Sequence, residues 1–225
     1  GTSAVLYRIN SKGDFFVGLL KQEKIDYFDG RFTDNDYEYT SFHDKCILIV
    51  NQLNTISKKD KSKIIESMND YCENNKFVFK TSLIKLLTVC LDEMYECFPP
   101  LERKIQLLMI LNAYGLKHYI DKIEAKLFVM TEHGSKGLEW DNVYIPYYNP
   151  WNVLCCCRGC ERSCVSGKLP RRDMKEFLEE VSLYYVACTR ARKNLYILYS
   201  KINRFGNSDF ISCLARIPNT TIIHF

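Results

Sequence analysis

The sequence lacks the features of membrane and secreted proteins. Its apolar stretches are far shorter than the roughly 20 residues that span a bilayer. Its start has no basic stretch followed by an apolar one, as a signal peptide would. The composition, 47% hydrophobic and 26% charged over 225 residues, is that of a folded chain and excludes a disordered one. We therefore expect no membrane partner and a cytoplasmic or nucleoid-associated location.

The sequence also has little excess charge of either sign. Its formal net charge is +4 at pH 7. A balance of this size permits a nucleic-acid partner but does not require one. Function therefore has to be argued from motifs rather than from composition.

The most informative absence is that of a phosphate-binding loop. The pattern G-x-x-x-x-G-K-[ST] occurs nowhere in the chain, and the nearest text, Gly167-Lys168-Leu169, lacks both the upstream glycine and the hydroxyl. We therefore expect that this chain does not hydrolyse ATP by itself.

Cysteine, by contrast, is abundant. Six cysteines stand singly in helix-like or strand-like apolar runs and are predicted to be small core residues: Cys46, Cys72, Cys90, Cys97, Cys188 and Cys213. The other five fall within ten positions: Cys155, Cys156, Cys157, Cys160 and Cys164. This cluster could supply four thiolates to a structural Zn²⁺, although so short a run must fold tightly to surround a metal. Reduced thiols and a disulfide are the alternatives.

The chain begins and ends with patterns of an α/β fold. Residues 4–9 form an apolar run that ends in turn residues, a helical pattern follows, and residues 25–28 are predicted to be the next strand. Residues 127–131 and 143–145 restore the sheet. Beyond residue 198, the pattern predicts a helix that starts near residues 206–208 and a last strand near residues 220–224.

Several amphipathic helices are predicted between residues 32 and 117. Their predicted ranges are 42–56, 64–71, 83–94 and 105–114. The lysine-rich run 58–63 is predicted to be a solvated turn, with a direct DNA contact as the alternative. Near the end of the chain, five residues at helical spacing predict one buried helix face: Phe177, Val181, Tyr184, Tyr185 and Cys188.

Two strings carry the strongest functional signal. They are VMTEHGSKGLEWDNVYIP at residues 129–146 and EEVSLYYVACTRARKNLYIL at residues 179–198. In this order, each with an apolar strand beside it, they resemble motifs V and VI of the UvrD/Rep family of superfamily 1 DNA helicases. Residues 3–30 resemble the strand, helix and strand that open the second RecA-like domain of those enzymes.

The resemblance implies a fold and a domain organisation. It implies an α/β RecA-like domain of the P-loop NTPase type, with a parallel sheet and without its own phosphate loop. Residues 1–31 and 118–225 would form this second motor domain, and residues 32–117 a short helical insertion like the family's 2B subdomain. Since the first strand begins abruptly after Gly1-Thr2-Ser3, we expect a longer parent with an N-terminal RecA-like domain that binds most of ATP and Mg²⁺.

Three residues would face the nucleotide by resemblance. Arg190 corresponds to the arginine that reaches the ATP γ-phosphate across the domain cleft, and its planar fork of permanently charged donors suits a phosphate; a solvated surface arginine is the alternative. Gly137 lets the chain approach a ligand closely. The Glu139 carboxylate can accept both hydroxyls of the ribose. Arg192 and Lys193 are predicted to be solvated, and Trp140 to plug the core behind the loop.

Four residues would face single-stranded DNA: Arg8, Thr131, His133 and Lys136. Donors of this kind hold a sugar-phosphate backbone without reading its sequence. The alternatives are a structural ion pair for Arg8, a satisfied loop histidine for His133 and an interdomain salt bridge for Lys136. The chain departs from the family at Gly13-Asp14, where a Ser-Arg pair is common, so one expected cation is missing.

The resemblance thus predicts one half of an ATP-dependent 3′–5′ DNA helicase or translocase. Its partners would be single-stranded DNA and the N-terminal domain of the same protein. One alternative is a degenerate, non-catalytic module that binds DNA or protein. A further alternative is the helicase half of a helicase-nuclease.

Overall fold

The computed structural model describes residues 1–8, 10–146, 174–198 and 221. The described part contains five strands: β1 (Ser3–Tyr7), β2 (Phe28–Gly30), β3 (Leu127–Thr131), β4 (Trp140–Ile145) and β5 (Ala191–Ile197). It also contains six α-helices: α1 (Asp14–Gln22), α2 (Tyr37–Asn51), α3 (Lys58–Asn74), α4 (Lys80–Cys97), α5 (Pro100–Asn112) and α6 (Met174–Cys188). Short 3₁₀ segments cover Asn10–Gly13 and Gly115–Lys122.

The five strands form one sheet in the order β2-β3-β1-β4-β5, and every neighbouring pair is parallel. This confirms the predicted α/β fold with a parallel sheet. The central strands β1 and β3 are almost continuously apolar because both faces of a parallel sheet are covered. Strand β2 begins at the last residue of its predicted range, because Ile25 is exposed and precedes the pairing with β3.

Helices cover the two faces of the sheet unequally. On one face, α1 packs Val17 and Leu20 against Val5, Tyr7 and Val129. On the other face, α2–α5 and α6 share a single larger core with the strands. Right-handed crossovers that move in opposite directions across a sheet place their helices on opposite faces. The connection from β1 to β2 moves across the sheet in one direction, and the connection from β4 to β5 moves in the other.

The four helices between β2 and β3 are continuous with the sheet. Phe28 and Phe128 from the strands belong to the same buried cluster as Phe42 of α2 and Leu86 of α4. A polar contact joins the two layers as well, because the Asp29 backbone N–H donates to the Ser82 hydroxyl at 2.9 Å. The helical insertion therefore forms a layer of the fold, packed directly on the strands.

The lysine-rich run 58–63 is helical, so its prediction as a turn is wrong. Ser57 and Asp60 form a capping box in which each side chain bonds the backbone of the other end. These bonds satisfy N–H groups that the first helical turn leaves without partners. Hydrogen bonds from the Ser57 hydroxyl and from the Ser57 N–H lower the pKa of Asp60. Helix α3 therefore starts at Lys58, ahead of its predicted beginning.

The cysteine prediction is confirmed in part. Cys46, Cys72 and Cys90 are buried, and burial raises the pKa of each thiol to about 12. Cys97 is exposed at the end of α4, contrary to prediction, and Cys188 is half-buried. Cys213 and the cysteine cluster at 155–164 lie outside the described residues. Among the residues that are described, no group of His, Cys, Asp or Glu could hold a metal ion.

The predicted buried face of α6 is only partly correct. Tyr184 is buried, but Tyr185 is 68% exposed. Adjacent helical residues point about 100° apart, so one face cannot hold both. Ala187, three residues after Tyr184, is buried as well. The side chains of Phe177 and Val181, and the elements predicted beyond residue 198, lie outside the described part. Among the described helices, none combines the length and apolar character that a membrane span needs.

A buried histidine joins the start of the helical layer to its end. His43 on α2 is fully buried, and its Nδ1 lies 2.8 Å from the Tyr39 carbonyl oxygen. The Leu116 backbone N–H, in the segment that returns to β3, donates to His43 Nε2 at 3.5 Å. This arrangement requires a neutral ring with the proton on Nδ1, and burial lowers the pKa of His43.

We predict that His43 makes the protein less stable in mild acid. Because the folded pKa lies below the ordinary value of 6.5, the unfolded chain takes up a proton first; the stabilisation is complete above about pH 6.5 and is lost as the pH falls through the folded pKa. Urea unfolding at several pH values between about 7.5 and 5.5 measures this slope. His43→Asn should flatten the slope, whereas His118→Asn, at an exposed histidine, should leave it unchanged. An unaltered slope in His43→Asn would assign the pH dependence to another group.

Candidate functional site

The segment that crosses from β3 to β4 organises the site. Thr131 at the end of β3 pairs with Tyr7, the last residue of β1, whereas Asn142 of β4 pairs with Ser3, the first residue of β1. Residues 132–139 therefore run from the carboxyl edge of the sheet back to its amino edge, past β1. The two levels are four residue steps apart, about 13 Å.

Three of the predicted DNA-facing residues meet at the carboxyl edge. Arg8 follows β1 directly and is half-buried, and the neighbouring Glu132 backbone N–H donates to the Tyr7 carbonyl at 2.9 Å. His133 is exposed. Thr131 is only 8% exposed, and its hydroxyl accepts a hydrogen bond from the Gly134 N–H at 2.9 Å. The Thr131 hydroxyl therefore holds the first turn of the crossing segment.

Further bonds fix the middle of the crossing segment. Ser135 is buried; its hydroxyl donates to the Glu132 carbonyl at 2.7 Å, and its N–H donates to the Thr131 carbonyl at 3.0 Å. Gly137 has φ +85°, and a Cβ there would meet nothing within 4 Å. The backbone conformation, and not lack of space, therefore favours glycine at this position.

Arg190 lies at the amino edge, where the crossing segment ends. Its carbonyl accepts the Trp140 N–H at 3.0 Å. Its guanidinium donates from Nη1 to the Leu138 carbonyl at 3.1 Å and from Nε to the Val186 carbonyl at 2.9 Å. Arg190 thereby ties the end of the crossing segment to the last turn of α6. Trp140 is buried beside it, as the sequence predicts.

The predicted site residues thus divide between two edges of one sheet. Glu139 and Arg190 lie at the amino edge, Arg8, Thr131 and His133 lie at the carboxyl edge, and Gly137 lies on the crossing segment between them. Neither string alone reveals this separation, because it follows from the strand register.

Lys136 lines a cleft between the crossing segment and α6. The cleft has a volume of ≈ 750 Å³, and His133 and Glu132 line it on the same side. Leu183 and Val186 of α6 form part of the opposite wall. Glu132 is 2% exposed, and sequence analysis did not single it out. The sequence signal for Glu132 is its position between Thr131 and His133, the two neighbouring residues that were predicted to contact DNA.

Asp14 takes a structural role where the resembling family has an arginine. Its carboxylate accepts from Arg31 Nη1 at 2.8 Å, and Arg31 also pairs with Asp29 at 2.9 Å. Arg31 is buried just beyond β2, and a Cβ on Gly13 would lie 2.7 Å from its Nη1. The Gly13-Asp14 pair therefore accommodates Arg31 and offers no cation at this position.

Arg192 and Lys193 are exposed, as predicted, but each also forms an ion pair. Arg192 Nε lies 3.1 Å from Glu139 Oε2, and Lys193 Nζ lies 3.0 Å from Asp141 Oδ1. Sequence analysis did not find these pairs, because their partners lie about fifty positions away along the chain.

Comparison with known protein families gives a match over most of the chain. The family described as UvrD-like helicase C-terminal domain matches residues 30–202. This range includes both strings, the crossing segment and Arg190.

Curated relatives align over shorter stretches. Gabija protein GajB of Bacillus cereus (strain HuB5-5) is 34% identical over 155 residues, which are 64% of this chain and 22% of that protein. RecBCD enzyme subunit RecB of Chlamydia muridarum is 35% identical over 96 residues, 42% of this chain and 7% of that protein. A probable DNA helicase of Mycoplasma pneumoniae is 32% identical over 82 residues, 36% of this chain and 13% of that protein. The chain therefore spans less than a quarter of each of these relatives.

We predict that the Thr131 hydroxyl stabilises the first turn of the crossing segment. Thr131→Val keeps the shape of the side chain but leaves the Gly134 N–H without its acceptor, which should lower the free energy of unfolding by about 1 kcal/mol. Hydrogen exchange of the Gly134 amide, followed by NMR, should become faster. Thr131→Ser, which retains the hydroxyl, should exchange like the wild type. Equal exchange rates in all three proteins would contradict the assignment.

Proposed function

Because this chain belongs to the UvrD-like helicase C-terminal domain family, we propose that it is the second motor domain of an ATP-dependent DNA helicase or translocase. It closes on ATP and single-stranded DNA together with an N-terminal RecA-like domain of the same protein. The observation that carries the proposal is the position of Arg190, braced at the amino edge beside the end of the crossing segment. Translocation 3′ to 5′ is proposed from the family resemblance.

The geometry of Arg190 suits an arginine finger. A guanidinium has five N–H groups. In Arg190, three of them donate hydrogen bonds, to the Val186 carbonyl, the Leu138 carbonyl and the Thr189 hydroxyl. Two N–H groups remain for a ligand while the fork is held in place. A donor that is oriented before the reaction stabilises transition-state charge without reorganisation.

The remaining amino-edge residues suit the sugar of the nucleotide. Glu139 is 48% exposed, and its carboxylate can accept from ribose hydroxyls. Gly137 keeps the adjoining backbone free of a side chain. The carboxylates at this edge, Glu139 and Asp141, already pair with Arg192 and Lys193, so we assign the Mg²⁺ that accompanies ATP to the N-terminal domain.

We propose that Arg8 and His133, at the carboxyl edge, and Lys136, in the cleft that His133 also lines, contact the backbone of single-stranded DNA. Exposed imidazole and ammonium donors suit phosphate and sugar contacts, which position a strand without reading its sequence. Thr131 supports this surface mainly through the Gly134 N–H, which its hydroxyl binds.

The crossing segment then links ATP to DNA. One end is bonded to Arg190 at the amino edge, and the other is bonded to Tyr7, beside Arg8, at the carboxyl edge. When ATP hydrolysis changes the position of Arg190, Leu138 moves with it. The hydrogen-bonded turns between residues 133 and 138 then pass this movement to His133. Chemistry on one edge is thereby coupled to the grip on DNA at the other.

We predict that Arg190→Ala in the full-length protein lowers DNA-stimulated ATP turnover by at least about a hundredfold, because an arginine finger acts on the transition state. ATP binding, measured by equilibrium titration, should change little. Lys193→Ala, at an exposed cation three residues after Arg190, serves as the control and should retain turnover.

Two outcomes would contradict this function. If the wild-type full-length protein has no DNA-stimulated turnover, or if Arg190→Ala leaves turnover unchanged, the chain is a non-catalytic module that binds DNA or protein. Binding of single-stranded DNA by such a protein would then be its remaining activity.

A further inference from the structure

A bulge interrupts the pairing of β4 with β5 at the amino edge. Trp140 pairs with Ala191 and Asn142 pairs with Asn194, so one residue of β4, Asp141, lies opposite two residues of β5. Bulges of this kind are rare in parallel pairs, and they re-aim side chains, often beside active sites. The two residues on the bulge are Arg192 and Lys193.

The two cationic side chains on the bulge pair with two different carboxylates. In a regular strand, neighbouring side chains point to opposite faces. Here Arg192 pairs with Glu139 and Lys193 pairs with Asp141, and these two carboxylates lie on either side of Trp140. The extra residue therefore brings a second arginine next to the carboxylate that we assign to the ribose.

We propose that Arg192 is a positioning residue that orients the Glu139 carboxylate toward the nucleotide sugar. This inference rests on the proposed function, since it concerns the same nucleotide edge. Arg192 acts through Glu139, and it determines how strongly the protein distinguishes a ribonucleotide from a nucleotide that lacks a sugar hydroxyl.

The contact leaves the carboxylate free to bind. Arg192 Nε and Glu139 Oε2 lie 3.1 Å apart, and among the described residues this is the side-chain contact of the Glu139 carboxylate. An ionised carboxylate offers about four acceptor positions on its two oxygens, so Oε1 remains for sugar hydroxyls. An exposed glutamate samples several rotamers, and holding one oxygen removes much of that freedom before the ligand arrives.

Charge gives Arg192 a second effect on the same group. A carboxylate close to a bound polyphosphate is repelled by it, and the positive charge of the Arg192 guanidinium offsets that repulsion. The pair is largely exposed, with 60% of the Arg192 side chain accessible, so it contributes little to folding. Substitution of Arg192 should therefore alter binding without loss of the fold.

The test uses steady-state ATP turnover of the full-length protein with saturating single-stranded DNA. The substrates are ATP, 2′-deoxyATP and 3′-deoxyATP, and the proteins are wild type, Arg192→Ala, Arg192→Lys and Lys193→Ala. We expect Arg192→Ala to raise KM for ATP by about fivefold with kcat within about twofold, the pattern of a lost binding contact. KM for the deoxynucleotide that lacks the hydroxyl held by Glu139 should change by less than about twofold.

The control variants isolate the positioning role. Lys193→Ala removes an adjacent cation that pairs with Asp141, so it should match the wild type with all three substrates. Arg192→Lys should recover part of the discrimination, since an ammonium can pair with Glu139 but lacks the fixed fork. In a Glu139→Gln background, Arg192→Ala should have no further effect on the sugar preference, because its route of action is gone.

Three results would overturn the inference. Equal increases in KM for ATP and both deoxynucleotides would mean that Arg192 contacts the phosphates. The same increase in KM for ATP in Lys193→Ala would mean that any cation at this edge suffices. An unchanged sugar preference in Arg192→Ala would mean that Arg192 does not position Glu139. These failures differ from failure of the proposed function, in which the wild type itself shows no DNA-stimulated turnover and the positioning role falls with it.

Discussion

The site depends on one geometric constraint, which is that residues 132–139 must join two parallel strands by a route much shorter than usual. Parallel strands normally need a crossover of a dozen or more residues, commonly a helix. Here the chain returns from one edge of the sheet to the other with hydrogen-bonded turns alone. The buried Ser135 and the left-handed Gly137 make those turns possible. As a result, a single short segment carries residues to both edges.

Much of the fold followed from local patterns. Apolar runs located β1, β3 and β4, and helical periodicity located the helices between β2 and β3, with their ends displaced by several residues. The two strings at residues 129–146 and 179–198 indicate the family by resemblance, and the family match agrees with them. Such patterns succeed because they reflect burial along one element at a time.

The site was less predictable because its contacts join distant parts of the chain. The capping box at Ser57 and Asp60 turned a run of lysines into helix, although like charges disfavour it. The hydroxyl of Thr131 was assigned to a ligand, yet it binds the neighbouring backbone. The partner of Glu139 depends on a strand bulge, and one extra residue in a strand leaves no recognisable pattern in composition or spacing.

The shared core of the sheet and the helical layer also bears on how the protein unfolds. Because Phe28 and Phe128 pack in the same cluster as residues of α2 and α4, separating the strands would expose apolar side chains of the helices that cover them. Denaturation of these elements should therefore be one cooperative transition, with heat and urea removing both layers together. A single free energy of unfolding should therefore describe both the sheet that carries the site and the helical layer that covers it.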